Sequence, residues 1–144
     1  MKQAVLISIN PPYTQQIFSG EKDIEWRKKP LPFGKAYVYE TKKNGGCGMV
    51  IGTIEISGNH IYRHGDTVPA RYIRRGCVPI GDLMKYAGEG EKSKLVANFI
   101  GNEELFDEPR PLGSFYQWKN YGLWSHLESL SRPPQSWQHI EVDE

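Results

Sequence analysis

The sequence has few cysteines and no long hydrophobic run. Only Cys47 and Cys77 occur in 144 residues, and they lack C-x-x-C spacing, so we expect free thiols rather than the disulfide framework of a small secreted domain. No stretch approaches the ~18 apolar residues that cross a bilayer, and the apolar start is too short for a signal peptide. The sequence therefore predicts a cytoplasmic protein that makes no membrane contact.

Metal-ligand patterns are equally scarce. Of Cys47, His60, His64 and Cys77, only the two histidines come near zinc-ligand spacing, and their spacing is loose. We therefore expect neither a metal site nor a cofactor. No pattern in the sequence indicates an oligomeric state.

The apolar content suffices for one core, whereas the charges are unevenly divided. With 38% hydrophobic and 12% aromatic residues, we expect one compact domain over residues 1–144. The net charge is only +1, but residues 1–85 hold 13 lysines and arginines against 7 acidic residues, and residues 86–144 hold 5 against 10. This split predicts a positive face that attracts phosphate, unless the fold intermixes the two parts.

Hydrophobic periodicity predicts short strands and two clear helices. The first helix follows the Asn10-Pro11 pair and ends at Gly20, and the second spans residues 79–88. Strands are predicted over residues 5–9, 23–27, 35–41, 49–57, 95–101 and 136–142.

The remaining segments lack a clear period. Residues 58–75 and the acidic residues 103–111 are predicted to be irregular, and the pattern leaves the type of the aromatic-rich residues 114–123 open. Many short strands with few helices favour a small barrel over a parallel sheet.

Charged residues are concentrated between Gly20 and Arg27. As a strand, this segment points Ile24 and Trp26 to one face and Glu25 and Arg27 to the other. Same-face neighbours are about 6–7 Å apart, close enough to orient each other or to bind one polar ligand. An edge strand with solvated charges is the alternative.

Gly20, Lys22, Glu25 and Arg27 match all four positions of a G-x-K-x-x-E-x-R pattern. That pattern is the signature of the ASCH domain family, a branch of the PUA-like superfamily, and the sequence resembles that family. Four further segments carry the resemblance, namely residues 6–13, 36–41, 51–56 and 132–137. The resemblance implies an α+β fold, a PUA-like small mixed β-barrel flanked by short helices, with a cleft beside the first helix.

The resemblance and the charge split together predict a protein that binds RNA, another single-stranded nucleic acid or a modified nucleoside through a basic cleft. Lys22 offers a movable charge, and Arg27 offers a planar fork to a phosphate or a base edge. Glu25 could accept a hydrogen bond from an exocyclic amine. The alternative is a structural ion pair between Glu25 and Arg27.

Two other segments supply candidate contacts. Tyr39, and with less support Tyr37, could stack on a base beside Lys42 and Lys43, although strand tyrosines are more often core residues. The stiff loop before the last strand adds Arg132, Gln135 and Ser136. The resemblance implies that this loop borders the same cleft, and the alternative is a rigid lead-in to a strand with Trp137 in the core.

A further basic patch is predicted from four arginines that only Asp66 opposes. It comprises Arg63, Arg71, Arg74 and Arg75. Such a patch suits contacts with a phosphate backbone, and a merely soluble loop is the alternative.

Enzymatic activity is a second possibility. Some ASCH-like proteins resemble small amidohydrolases that act on acylated cytidine and use a threonine three positions after the signature lysine as nucleophile. Here that position is Glu25, which disfavours this activity. A metal-independent ribonuclease, or a related nucleotide hydrolase, could use Lys22, Tyr39, Lys43 and Ser136. A protein-interaction module in transcription-associated assemblies is the remaining alternative.

Overall fold

In the computed structural model, residues 1–143 are described and form eight β-strands, three α-helices and three short 3-10 turns. The strands are β1 (Lys2–Ile9), β2 (Ile24–Arg27), β3 (Gly34–Glu40), β4 (Met49–Arg63), β5 (Lys94–Arg110), β6 (Phe115–Asn120), β7 (Ser125–Ser129) and β8 (Trp137–Val142). The helices are α1 (Tyr13–Phe18), α2 (Ala70–Gly76) and α3 (Ile80–Ala87). In this described part, the helices are all too short or too polar to span a membrane.

The chain divides into two compact units. The first unit contains residues 1–14, 35–54 and 104 to the end of the described chain, and the second contains residues 15–34 and 55–103. The long strands β4 and β5 each contribute residues to both units. The single domain expected from the sequence stays a prediction.

The first unit is a mixed sheet with the strand order β4–β3–β1–β8–β6–β7. β1 pairs in parallel with β3 and antiparallel with β8. Aliphatic and aromatic side chains of these strands form a buried cluster, and burial of their apolar surface stabilises the unit. The buried cluster comprises Leu6, Tyr37, Tyr39, Val50, Phe115, Leu130, Ile140 and Val142.

The second unit has the strand order β2–β5–β4, and α2 and α3 belong to it. β2 pairs antiparallel with β5, with Ile24 opposite Phe99 and Trp26 opposite Ala97. The core comprises Ile24, Trp26, Tyr62, Leu83, Ala87, Leu95 and Ala97. Residues of β2 therefore pack together with residues of α3 in one cluster.

The structure confirms the α+β class and the mixed sheet. It also confirms the end of the first helix at Gly20, whose φ of +86° is left-handed backbone that favours glycine. The predicted strands over residues 5–9, 35–41 and 136–142 correspond to β1, β3 and β8.

Two predictions about irregular segments are wrong, and a third segment, whose type the sequence left open, forms a strand. β4 continues to Arg63 and α2 follows at Ala70, within the segment 58–75 that was expected to be irregular. β5 continues through the acidic residues to Arg110, and the aromatic-rich segment forms β6, which pairs with β7. In each case long-range strand pairing or helix packing stabilises polar residues that have no clear period of their own.

Candidate functional site

Lys22 is almost completely buried, with 2% of its surface exposed. Its Nζ donates hydrogen bonds to Ile24 O at 2.7 Å and to Gly76 O at 2.5 Å, and it lies 3.4 Å from Glu25 Oε1. An ammonium group has three N–H donors, and these three acceptors match them. The side chain of Lys22 therefore ties β2 to the end of α2.

Glu25 and Arg27 form a close ion pair on β2. Arg27 donates to Glu25 Oε2 from Nε at 2.9 Å and from Nη2 at 2.7 Å, and only 7% of Glu25 is exposed. Burial alone would raise the pKa of Glu25, but the charges of Arg27 and Lys22 and their hydrogen bonds hold it below its ordinary value. Glu25 is therefore a stabilised carboxylate.

The charged side chains on this side of β2 are thus mostly inaccessible to solvent, although the sequence predicted that they would be exposed to a ligand. Lys22 and Glu25 are buried, and Arg27 is half-buried. This arrangement corresponds to the structural ion pair that the sequence left as an alternative. Ligand contacts by these three residues stay a prediction.

The same segment holds the C-terminal end of α2. Asp23 N donates to Arg75 O at 3.1 Å, and Arg75 Nε donates to Asp23 Oδ1 at 2.8 Å. Gly76 allows the close approach, because a Cβ there would lie 2.0 Å from Trp26 Nε1. The ammonium of Lys22 also complements the negative end of the helix dipole. The signature segment therefore fixes the position of α2.

Arginines of α2 lie around an aromatic pair. The guanidinium carbon of Arg71 is 4.9 Å from the centre of the Tyr72 ring, and that of Arg75 is 5.3 Å from the same ring and 5.9 Å from Phe99. Arg71 and Arg74 are exposed, and neither forms an ion pair with any residue among 1–143. Because cation–π contacts orient guanidinium groups, this helix presents ordered and available positive charge.

The two candidate tyrosines of β3 are buried. Tyr37 packs edge-on against Phe115 at 5.2 Å and is also near Phe106, as the core alternative predicts. Tyr39 is 5% exposed, and its hydroxyl forms no hydrogen bond with a described residue. Burial, and then the nearby Cys47, raise the pKa of Tyr39. At neutral pH its hydroxyl is therefore protonated.

Lys42 and Lys43 are exposed at a short 3-10 turn over Lys43–Gly45. Asn44 has left-handed backbone and donates from Nδ2 to Pro11 O at 3.0 Å. The turn is therefore fixed by its neighbour, while the two lysines extend into solvent.

The loop before β8 is held by Ser8. Ser8 Oγ donates to Pro134 O at 2.7 Å, and Ser8 N donates to Ser136 O at 3.0 Å. Arg132, Gln135 and Ser136 are all exposed. Arg132 lines a cleft of about 460 Å³ whose other lining residues are Gln117, Lys119, Ser131, Pro133 and Gln138.

Sequence reasoning missed the aromatic hairpin of β6 and β7. Trp118 and Trp124 are 58% and 59% exposed there, and Tyr121 is also exposed. The aromatic density of residues 114–123 was the available signal, but periodicity alone did not say whether those rings were core or surface. The structure shows that these rings lie on the surface.

The predicted site residues fall into both units. Lys22, Glu25 and Arg27 come together in the second unit. The first unit contains Tyr39, Lys42, Lys43, Arg132, Gln135 and Ser136. Over residues 1–143, no group of three histidine, cysteine or acidic side chains is placed to hold a metal ion.

Comparison with known proteins identifies the fold. Neither a protein-family model nor a curated protein matches the sequence. The solved structure of ASCH from Zymomonas mobilis matches with a TM-score of 0.68 and 22% identity, covering 94% of this chain and 85% of that chain. A serine-to-alanine mutant of that protein matches with a TM-score of 0.68 and 22% identity over 94% and 86% of the chains.

A tyrosine-to-phenylalanine mutant of the same protein gives a TM-score of 0.63 at 22% identity, covering 77% of each chain. These likenesses span most of the chain. The protein therefore has the fold of an ASCH domain, which agrees with the expected α+β class.

Proposed function

We propose that the protein binds single-stranded RNA, or a closely similar single-stranded nucleic acid, and that α2 contacts the phosphate backbone. The observation that carries the proposal is the arginine pair on α2. Arg71 and Arg74 are exposed and have no ion-pair partner among residues 1–143, and they neighbour Arg75 and Tyr72 on one short helix.

Guanidinium groups suit this task for two reasons. Each presents a planar fork that matches two phosphate oxygens, and it is less strongly hydrated than an ammonium group. Contact with the Tyr72 ring restricts Arg71 before any ligand is present, so less side-chain entropy is lost on binding. Neutralising phosphates also releases counterions, which drives binding at low salt.

In this proposal the charged residues of β2 and the turn before it do not contact the ligand. They hold α2 in position. Lys22 bonds the carbonyl of Gly76, and Asp23 bonds both the backbone and the side chain of Arg75. They are positioning residues for the arginines, and Glu25 with Arg27 completes the buried charge balance around Lys22.

The exposed predicted residues of the first unit are candidates for contacts of their own with a nucleic acid. Lys42, Lys43 and Arg132 are cations for phosphate, and Gln135 and Ser136 can donate or accept hydrogen bonds with a base or ribose. Sequence readout by amide and hydroxyl groups would be modest, so we propose binding with limited base preference.

A direct test is fluorescence anisotropy with a short labelled RNA at low salt. The Arg71→Ala/Arg74→Ala double variant should bind about tenfold or more weakly, since two phosphate contacts are removed. The Lys85→Ala/Lys92→Ala double variant is the matched control, because it removes two exposed cations of the same unit. Absence of RNA binding by the wild-type protein would refute the function, and equal affinity of both double variants would refute α2 as the contact.

A metal-independent ribonuclease is the second candidate, and Tyr39 favours it. Its hydroxyl is protonated at neutral pH, so it could give a proton to a leaving oxygen, although the side chain is only 5% exposed and its raised pKa makes it a weak acid. Lys43 and Ser136 are exposed and could stabilise phosphoryl charge. Labelled RNA incubated in chelator should then be cleaved by wild-type protein and not by Tyr39→Phe, and RNA that stays intact throughout would remove this candidate.

The other two alternatives have less support. Glu25 is a buried carboxylate in an ion pair, so it lacks the hydroxyl that the amidohydrolase route needs. A protein-interaction module would bind a protein partner irrespective of Arg71 and Arg74, which the double variant separates from RNA binding.

A further inference from the structure

The hairpin formed by β6 and β7 presents an unusual amount of aromatic surface to solvent. Trp118, Tyr121 and Trp124 are each at least 46% exposed, and Leu123 at the turn is fully exposed. Contiguous apolar surface of this kind marks contact sites. Trp118 pairs with Leu127 and lies on the opposite face of the hairpin from His126, so it is not part of the ring cluster. The core of the first unit does not need these side chains, since they belong to none of its buried cluster.

Three of the rings are already arranged as flat, parallel surfaces. The centroids of Tyr121, Trp124 and His126 lie 5.0–5.3 Å apart, with interplanar angles of 10–28°. Offset stacking of this kind is the arrangement that aromatic rings prefer. The cluster can therefore accept one more flat ring at little cost in rearrangement.

Hydrogen bonds hold this aromatic cluster in place. The hydroxyl of Tyr121 donates to Glu128, and His126 Nε2 lies 3.0 Å from the same carboxylate. The hydrogen bond from Tyr121, and then the contact with His126, lower the pKa of Glu128. The one acidic side chain of the hairpin is thus engaged with the rings.

Positive charge lies on the same face of the hairpin. Lys119 is directly opposite His126 across the two strands, and Gln117 is opposite Glu128, so these four side chains share one face. Lys119 also lines the cleft that contains Arg132. Gln117 and Gln138 face this cleft too, and their amides are hydrogen-bonded to each other at 3.3 Å.

We propose that this surface is a nucleotide-stacking site: an unpaired base stacks on the Tyr121, Trp124 and His126 cluster, and Lys119 with Arg132 binds its phosphate. Aromatic rings beside cations are the combination that single-stranded nucleic acid uses, in contrast to the purely electrostatic contact by the arginines of α2. The choice of nucleic acid as ligand rests on the proposed function. The site itself stands on residues that the α2 contact does not use.

The chemistry of the surroundings favours a nucleotide over an apolar peptide. The cleft next to the rings is lined by an amine, a guanidinium, two amides and a hydroxyl. The cleft of about 430 Å³ at the turn adds Asn120 and Ser125 to Trp118 and Trp124. A base needs such hydrogen-bonding edges beside a stacking face, whereas an apolar peptide would leave them unsatisfied.

The test compares two ligands that carry the same phosphates. One is a short oligouridine, and the other is an oligomer of equal length whose sugars lack bases. Trp124→Ala should weaken binding of the oligouridine by about 5- to 100-fold and leave binding of the abasic oligomer unchanged, because only the first can stack. Trp124→Phe should recover most of the affinity, and circular dichroism checks that each variant is folded.

Phe33→Ala is the matched control, since it removes an exposed ring of the other unit, and it should change neither affinity. Wild-type protein that binds neither ligand would overturn the proposed function and this site together. Wild-type protein that binds the oligouridine while Trp124→Ala binds it equally well would overturn this site alone. Loss of affinity that accompanies a change of oligomeric state in sedimentation would also overturn it, because the rings would then serve contacts between copies.

Discussion

The surroundings of Lys22 and of Trp124 differ in almost every respect. Lys22 is 2% exposed, and three oxygen atoms satisfy its ammonium group, whereas Trp124 is 59% exposed and stacks on Tyr121 and His126. The first belongs to a recognisable sequence pattern, and the second belongs to none. The charged residues of the pattern thus serve packing in this structure, while the exposed rings that we propose as a binding surface belong to no pattern.

The largest effect on stability is expected when the buried amine of Lys22 is removed. Lys22→Met should lower the free energy of unfolding by about 3–5 kcal/mol, because two buried carbonyl groups would lose their donor and Glu25 would keep only Arg27 as a partner. Urea denaturation measures the change. Lys28→Met, at an exposed position, should change stability by less than about 1 kcal/mol. A comparably small effect at Lys22 would mean that its burial is not structural.

A smaller effect is expected where α2 meets β2. Gly76→Ala should cost about 1–3 kcal/mol, because the added Cβ would lie 2.0 Å from Trp26 Nε1 and the backbone would have to move. Gly81→Ala is the matched control in α3, where nothing lies within 4 Å of the new Cβ. That control should be neutral or stabilising by up to about 1 kcal/mol. Equal thermal midpoints for the two variants would contradict the close packing.

Acid should weaken the buried cluster around Glu25. The folded-state pKa of Glu25 is below its ordinary value of 4.5, so its stabilisation is fully present above that value and is lost as pH falls through the folded pKa. Urea unfolding between about pH 6 and pH 3 should show this loss. Glu25→Gln should be less stable than wild type at pH 6 but should lose less stability on acidification. Parallel pH profiles would contradict the role of Glu25.

The sequence predicted those parts of the fold that depend on local signals. β1, β3 and β8 have apolar runs of strand length, and Gly20 ends the first helix because only left-handed backbone fits there. The extension of β5 to Arg110 could not be read in this way. Its polar, acidic residues gain their conformation from pairing with distant strands, and pairing over such separations leaves no local period.

The candidate site was predictable in its residue types but not in its exposure. The pattern brought Lys22, Glu25 and Arg27 together correctly, since alternation along β2 and the short turn before it fix their proximity. Their burial depends on α2, which sequence periodicity did not reveal. From the sequence, Tyr121 and Trp124 could be recognised only as part of an aromatic-rich segment. Their stacking depends on the register of the hairpin, which is set by strand pairing.

The most direct measurement is the salt dependence of binding to a short single-stranded RNA. The logarithm of the association constant should fall linearly with the logarithm of salt concentration, by about 0.7 per phosphate contact. Removing Arg71 and Arg74 together should reduce the magnitude of that slope by about 1.4, whereas Trp124→Ala should lower affinity without changing the slope. An unchanged slope in the arginine double variant, or binding that is independent of salt, would contradict the account.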